Sequence, residues 1–247
     1  MSKQQRILLV LGGTSDIGRA TALLFALQGW TIQLAGRNLE SLKREADDIA
    51  ARSRSNVTTH ALEILDTTSF PAFIERLPIL PDVVVSVIGL LGDQAKSEKD
   101  AEHATTILRS NFEGPALILA LFAEHFLTRG SGTIVGVSSV AGDRGRASNY
   151  TYGSAKAGLT AFLSGLRNRT AKLGVHVLTV KPGFVWTRMT DGLELPKLLT
   201  AKPEEVAVAI ERGVSKKKDQ IYVRPIWAVV MFILRSIPEA IFKKTSI

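Results

Sequence analysis

The sequence contains no cysteine. That excludes disulfides and thiolate chemistry, and it permits a reducing cytoplasm. Histidine is scarce: His60, His103, His125 and His176 are scattered without metal-ligand spacing, so no metal site is expected. No stretch reaches the roughly 18 apolar residues that a spanning helix requires. The short apolar run Ile7–Leu11 is too brief for a signal-peptide core and reads as a buried strand. There is no internal repeat and no low-complexity linker. Hydrophobic residues (45%) and charged residues (22%) stand in ordinary globular proportion, which argues against disorder, and 247 residues suit one domain with a large core.

Acidic residues are thin in one place. Between Arg212 and Ile247 lie eight basic residues (Arg212, Lys216, Lys217, Lys218, Arg224, Arg235, Lys243 and Lys244) against Asp219 and Glu239, so this stretch holds six of the eight net positive charges. A nucleic-acid-binding domain would spread its basic face over the fold, so no nucleic-acid partner is expected. The concentration points instead to an anionic contact of the C-terminal segment, such as a membrane surface.

Short apolar runs alternate with longer helical patterns. Strands are expected over Arg6–Leu11, Thr31–Gly36, Val57–Leu62, Asp82–Ile88, Gly132–Ser138, His176–Lys181 and Gln220–Val223. Most are continuously apolar and rich in Val, Ile and Leu, the signature of parallel strands buried on both faces. Helical spacing covers Ile17–Gln28, Leu39–Arg52, Ser69–Arg76, Glu98–Leu127, Tyr152–Lys172 and Pro203–Lys216. Pro203 with Glu204 and Glu205 makes a good first turn, with a preset φ and acids at the positive end of the helix dipole. This order predicts an α/β fold: a doubly wound parallel sheet of about seven strands with helices on both faces.

The first strand runs into Gly12-Gly13-Thr14-Ser15-Asp16-Ile17-Gly18 and then directly into a helix. A strand, a glycine turn and a helix N-terminus present free N–H groups and a positive dipole end to a pyrophosphate. The spacing is not G-x-G-x-x-G, because Asp16 stands where the middle glycine would be. Turned inward, its carboxylate would repel a phosphate. The second strand ends in Arg37-Asn38 rather than in the acid that holds a ribose 2′-OH, so Arg37 suits a 2′-phosphate and NADP(H) is favoured over NAD(H). Arg19 is placed to add a second charge.

Tyr152 and Lys156, at i and i+4, share one helix face. A neighbouring lysine stabilises a phenolate, and a tuned tyrosine is able to protonate a carbonyl oxygen as hydride reaches carbon. Ser139 lies at the C-terminal edge of the fifth strand, where ligands bind in open α/β sheets. Asn111 is a poor mid-helix residue, and a local kink with a bound water is expected there. Pro182-Gly183-Phe184-Val185-Trp186-Thr187 follows the sixth strand and suits contact with a nicotinamide carboxamide through Pro182, Gly183 and Val185, with Thr187 reaching a phosphate or amide.

With these residues in place, the chain resembles the short-chain dehydrogenase/reductase family of compact single-domain type, over about Arg6 to Val223. The resemblance implies a Rossmann-type catalytic domain (1–224), Tyr152 as acid/base, and Lys156 holding the nicotinamide ribose. It further implies Ser139 bonded to the substrate oxygen, Asn111 keeping a relay water, Asp66 at the adenine edge and Gly89 under the cofactor. Ser86-Val87-Ile88-Gly89 replaces the family's Asn-Asn-Ala-Gly, so only Gly89 survives of that motif. The glycine turn, this altered motif and the basic tail are also similar to bacterial reductases acting on polyprenyl-phosphate-linked keto-sugars, the decaprenylphosphoryl keto-pentose 2-reductase subgroup.

The tail 225–247 is apolar from Pro225 to Leu234, then carries Ile237, Ile241, Phe242 and the pair Lys243-Lys244. Two readings stand: a helix packed on the core or in a subunit interface, and an interfacial anchor on anionic lipid. The expected protein is thus an NADP(H)-dependent oxidoreductase acting on a small-molecule or lipid-linked carbonyl. It is expected to be a homo-oligomer, dimer or tetramer, and cytoplasmic, with peripheral contact at the inner membrane face through the tail. A sensor or scaffold that binds NADP(H) without turnover is the non-enzyme alternative.

Overall fold

The computed structural model describes residues 6–192 and 194–245. Residues 1–5, 193, 246 and 247, which fall within the two segments named above, lie outside the described residues. Seven strands form one sheet: β1 (Ile7–Leu11), β2 (Thr31–Gly36), β3 (Val57–Ala61), β4 (Val83–Ser86), β5 (Gly132–Val137), β6 (Val175–Lys181) and, after a two-residue pair β7 (Phe184–Val185) and β8 (Thr200–Ala201), β9 (Gln220–Tyr222). Every pairing is parallel, in the order β3-β2-β1-β4-β5-β6-β9.

The strands are apolar throughout because both faces are covered. Along β1, Leu8 and Val10 point into one core with Phe25, Ile32, Leu34 and Ile210, while Leu9 and Leu11 point into the other with Phe70, Phe122, Phe126 and Leu163. The first core is closed by α1 (Asp16–Leu27), α2 (Leu39–Ser53) and α8 (Pro203–Ser215), the second by α3 (Phe70–Glu75), α6 (Gly114–Arg129) and α7 (Tyr150–Thr170). Chain order reverses between β1 and β4. The C-terminal ends of those strands therefore flank a crevice, the usual ligand position in open α/β sheets.

The helix expected over Glu98–Leu127 begins only at Ala101 and is in three pieces, and a separate short helix precedes it. Asp93 and Asp100 each cap a new start, accepting from Lys96 N at 3.0 Å and His103 N at 3.0 Å, which gives α4 (Gln94–Ser97) and α5 (Ala101–Leu108). A π-turn over Arg109–Glu113 then separates α5 from α6. The kink expected at Asn111 is this turn, and such turns gather at functional sites.

The tail forms α9 (Ile226–Ser236) and α10 (Glu239–Phe242). Trp227, Met231 and Phe242 are buried, the first two in a small core with Val140. Trp227 leaves no room for a side chain at Gly183, donates to Leu199 O at 3.0 Å and meets Phe184 edge-on at 5.5 Å. Arg144 adds a bond to Glu239 at 2.7 Å and lies over the Phe242 ring at 4.1 Å. One face of the tail is thus packed on the loops that follow β5 and β6. No helix among the described residues is long and apolar enough to cross a membrane.

Candidate active site

The glycine turn has the form its sequence requires. Gly12 sits at φ +93°, a left-handed conformation that favours glycine, and a Cβ on Gly18 would lie 2.5 Å from Gly12 O. Ser15 caps α1, accepting from Gly18 N at 3.0 Å and donating to Gly12 O at 2.8 Å. Asp16 is engaged by Arg188. Its carboxylate accepts from Arg188 N at 2.8 Å and lies 3.4 Å from Arg188 Nε. Arg19 is committed elsewhere, to Glu45 at 2.7 Å, and reaches Asp16 only at 3.8 Å. The second charge expected from it at the 2′-position is therefore taken up by Glu45.

Arg37 is exposed at the end of β2 and has no acidic partner among the described residues, whereas Asn38 turns its side chain to cap α2, accepting from Ser41 N at 2.9 Å. Asp66 heads the turn after β3 and accepts from the Thr68 hydroxyl at 2.7 Å. Val185 O accepts from Thr190 Oγ1 at 2.6 Å, and Thr187 N donates to the same hydroxyl at 3.1 Å, which fixes the short turn Arg188–Thr190. Pro182 O accepts from Val140 N at 3.0 Å, so the loop after β6 is tied to the loop carrying Ser139.

Ser139, Tyr152 and Lys156 converge. Ser139 follows β5, and its hydroxyl accepts from Ala141 N at 3.1 Å. Tyr152 and Lys156 stand in the first two turns of α7, which begins two residues earlier than its periodicity suggests; Thr151 N donates there to Gln94 Oε1 at 3.0 Å. Lys156 is 3% exposed, and its Nζ donates to Val137 O at 3.1 Å and Ile88 O at 3.4 Å, 5.7 Å from the centre of the Tyr152 ring. Burial lowers the Lys156 ammonium to about 8. Burial also pushes the Tyr152 phenol up to about 12, against the smaller downward pull of the Ser139 hydroxyl.

Asn111 is fully buried in the π-turn. It donates to Leu90 O at 2.7 Å and Ile107 O at 2.8 Å and accepts from Leu90 N at 3.1 Å. Its amide thus fixes the loop after β4 beside the reactive groups. Gly89 marks the meeting point: a Cβ there would stand 3.0 Å from Asn111 Oδ1, 3.4 Å from Lys156 Nζ and 3.7 Å from Met189 Cε. These residues suit a dinucleotide: the Asp16 carboxylate in the glycine turn is paired with Arg188, and glycine at 89 avoids a Cβ against Asn111 and Lys156.

Three supporting groups escaped the sequence reading. Ser138 donates to Lys156 O at 2.9 Å and meets Thr160 at 2.7 Å, riveting β5 to α7. Asp143 and Lys181 form a buried ion pair at 2.6 Å behind the Ser139 turn. Arg188 clasps Asp16. Their partners lie far apart in sequence, so none of them has a local signature.

A phosphate turn at the switch point and a Ser–Tyr–Lys cluster at the same sheet edge define an oxidoreductase of the nicotinamide-dinucleotide type. The chain belongs to the short-chain dehydrogenase family, whose profile matches residues 6–197. It is 37% identical over 243 residues to an uncharacterized oxidoreductase of Mycobacterium tuberculosis, covering 96% of this chain and 95% of that one. It is 35% identical over 242 residues to an uncharacterized oxidoreductase of Streptomyces coelicolor, covering 97% and 95%. Among solved structures, a short-chain dehydrogenase from Sphingobium yanoikuyae in complex with NADPH aligns at TM-score 0.81 and 20% identity, over 95% of this chain and 97% of that one.

Proposed function

We propose that the protein reduces a carbonyl to a secondary alcohol with NADPH. The observation that carries this reading is Lys156: a buried ammonium with no acidic partner among the described residues, held by two backbone carbonyls beside the Tyr152 ring. Structural lysines seldom stay buried without a counter-charge. Here the charge favours a phenolate forming on Tyr152.

The chain's own groups divide the work. Ser139 donates to the carbonyl oxygen and orients it. Tyr152 delivers its proton to that oxygen, Lys156 stabilises the phenolate left behind, and Asn111 keeps the relay water that returns a proton. The bound nicotinamide supplies the hydride. Gly12, Thr14, Ser15, Ile17, Gly18 and the backbone of Asp16 would hold the pyrophosphate, and Arg37 beside Asn38 would meet a 2′-phosphate. Asp66 would meet the adenine, Gly89 the nicotinamide ring and Lys156 its ribose, and Pro182, Gly183, Val185 and Thr187 would meet the carboxamide end. Reduction is the favoured direction because NADP pools usually drive it.

The test is NADPH and NADH oxidation with a panel of ketones, for the wild type and Arg37→Ala. The reading expects NADPH to be preferred and the preference to shrink about tenfold or more in the variant, from loss of one charge-assisted contact. Cofactor binding without oxidation of either cofactor would favour the sensor reading.

A second reading concerns where the enzyme works. The outer face of α9 and α10 is apolar too, with Val229 59%, Phe232 72%, Ile233 56% and Ile241 58% exposed, next to exposed Arg235, Lys243 and Lys244. That face suits an anionic membrane surface and a polyprenyl-phosphate-linked keto-sugar presented there; it equally suits burial in a homo-oligomer. Deleting the tail would also strip Trp227 and Met231 from the core, so Phe232→Ser with Ile233→Ser is the cleaner probe. Lost sedimentation with anionic vesicles at unchanged oligomeric state supports the membrane reading. Loss of the oligomer alone refutes it.

A further inference from the structure

We infer that Arg188 is a cofactor-positioning residue, whose task is to neutralise the acid that this chain carries in its own phosphate turn. The inference rests on the dinucleotide reading above and concerns how that turn is made to accept a pyrophosphate.

An anion site at a helix N-terminus works through free N–H groups and a positive dipole end. Asp16 is the first residue of α1 and places a carboxylate at that end. Left alone it would compete with the pyrophosphate for the same positive potential, like charge against like. The structure directs it elsewhere. One carboxylate oxygen accepts the Arg188 N–H at 2.8 Å, and the other lies 3.4 Å from Arg188 Nε. Arg188 also donates from its far nitrogen to Thr14 O, so a single side chain grips both the acid and the backbone of the turn. Arg19 does not substitute, since its closer partner is Glu45 at 2.7 Å.

Arg188 is itself held in place. Thr190 Oγ1 accepts from Thr187 N at 3.1 Å and donates to Val185 O at 2.6 Å, which sets the Arg188–Thr190 turn and aims the Arg188 N–H at Asp16. The Arg188 side chain stays 69% exposed. Its guanidinium therefore retains open donors at the mouth of the turn, and the pair Asp16–Arg188 supplies no net negative charge where an anion must bind.

The experiment is a double-mutant cycle read by NADPH fluorescence titration, without turnover, on Arg188→Ala, Asp16→Asn and the double variant. Adenosine 2′-monophosphate, which lacks the pyrophosphate, serves as the control ligand, and thermal melts of the cofactor-free proteins report folding. Arg188→Ala is expected to weaken NADPH about tenfold to a hundredfold, the range for exposing one partly screened charge. Asp16→Asn alone should leave affinity equal or higher, and the double variant should recover most of the loss. Adenosine 2′-monophosphate should bind all four proteins alike. If Arg188→Ala binds NADPH as the wild type does, or the double variant stays as weak as Arg188→Ala, the inference is overturned. If the wild type binds neither NADPH nor NADH, the dinucleotide reading itself falls and takes this inference with it.

Discussion

Replacing Asp143 by alanine should destabilise the protein severely, because it strands a charge beside the Ser139 turn. Lys181 ends β6 and Asp143 follows the Ser139 turn; their side chains are 5% and 3% exposed and meet at 2.6 Å. The Tyr222 hydroxyl donates to the other Asp143 oxygen at 2.7 Å. Removing one partner of a buried ion pair costs about 3–5 kcal/mol, because the remaining ion stays desolvated without compensation. Loss of the Tyr222 acceptor adds about 1 kcal/mol. For a chain of this size each kcal/mol moves Tm by roughly 2–4 °C, so a fall of about 10–20 °C is expected in calorimetry. The Tyr222 phenol, raised to about 12 by burial and then by Asp143, should titrate lower in the variant by ultraviolet absorbance. The double variant Asp143→Leu/Lys181→Met, with no ion left to solvate, should recover most of the loss. A penalty under about 1 kcal/mol for Asp143→Ala, or no recovery in the double variant, would refute the reasoning.

Four further outcomes follow from the same structure. Burial lowers Lys156 from 10.5 to about 8, so reduction, which needs the charge, should decline in kcat/KM as pH rises through about 8; over the same span up to 10.5 the unfolded chain holds a proton that the folded chain has released, so Lys156 makes stability rise with pH. Tyr152, raised from 10.0 to about 12, acts oppositely, and its contribution is lost between those values in denaturant titrations at stepped pH. Gly18→Ala places a Cβ 2.5 Å from Gly12 O, and should reduce NADPH affinity at least about tenfold and cost about 1–3 kcal/mol in urea unfolding. Asn111→Ala leaves Leu90 N and O unpaired and should cost about 2–4 kcal/mol, with a fall in kcat exceeding any change in cofactor affinity measured by fluorescence.

Much of the fold was legible because parallel strands covered on both faces write themselves as unbroken apolar runs. The edges of β1 and β6 lie within one residue of where Arg6–Leu11 and His176–Lys181 placed them. The glycine turn and the Tyr152–Lys156 spacing were legible because each is a local arrangement of backbone or helix face. The single helix expected over Glu98–Leu127 runs across the Asp100 cap and the π-turn at Arg109–Glu113, because apolar spacing carries over both. The tail looked apolar all round; that pattern hides which face packs, and only the fit of Trp227 against Gly183 decides it. Asp16 with Arg188, 172 residues apart, has no local signature at all. Its acid was visible in the sequence, and its counter-charge was not.

The most direct measurement is Tyr152→Phe, assayed for NADPH binding by fluorescence and for ketone reduction by NADPH oxidation, with Ser139→Ala and Lys156→Met alongside. The account predicts that the phenylalanine variant folds and binds NADPH within a few-fold of the wild type but loses about 100-fold or more of its reduction rate, the contribution expected of a positioned proton donor. Wild-type turnover in Tyr152→Phe would contradict it.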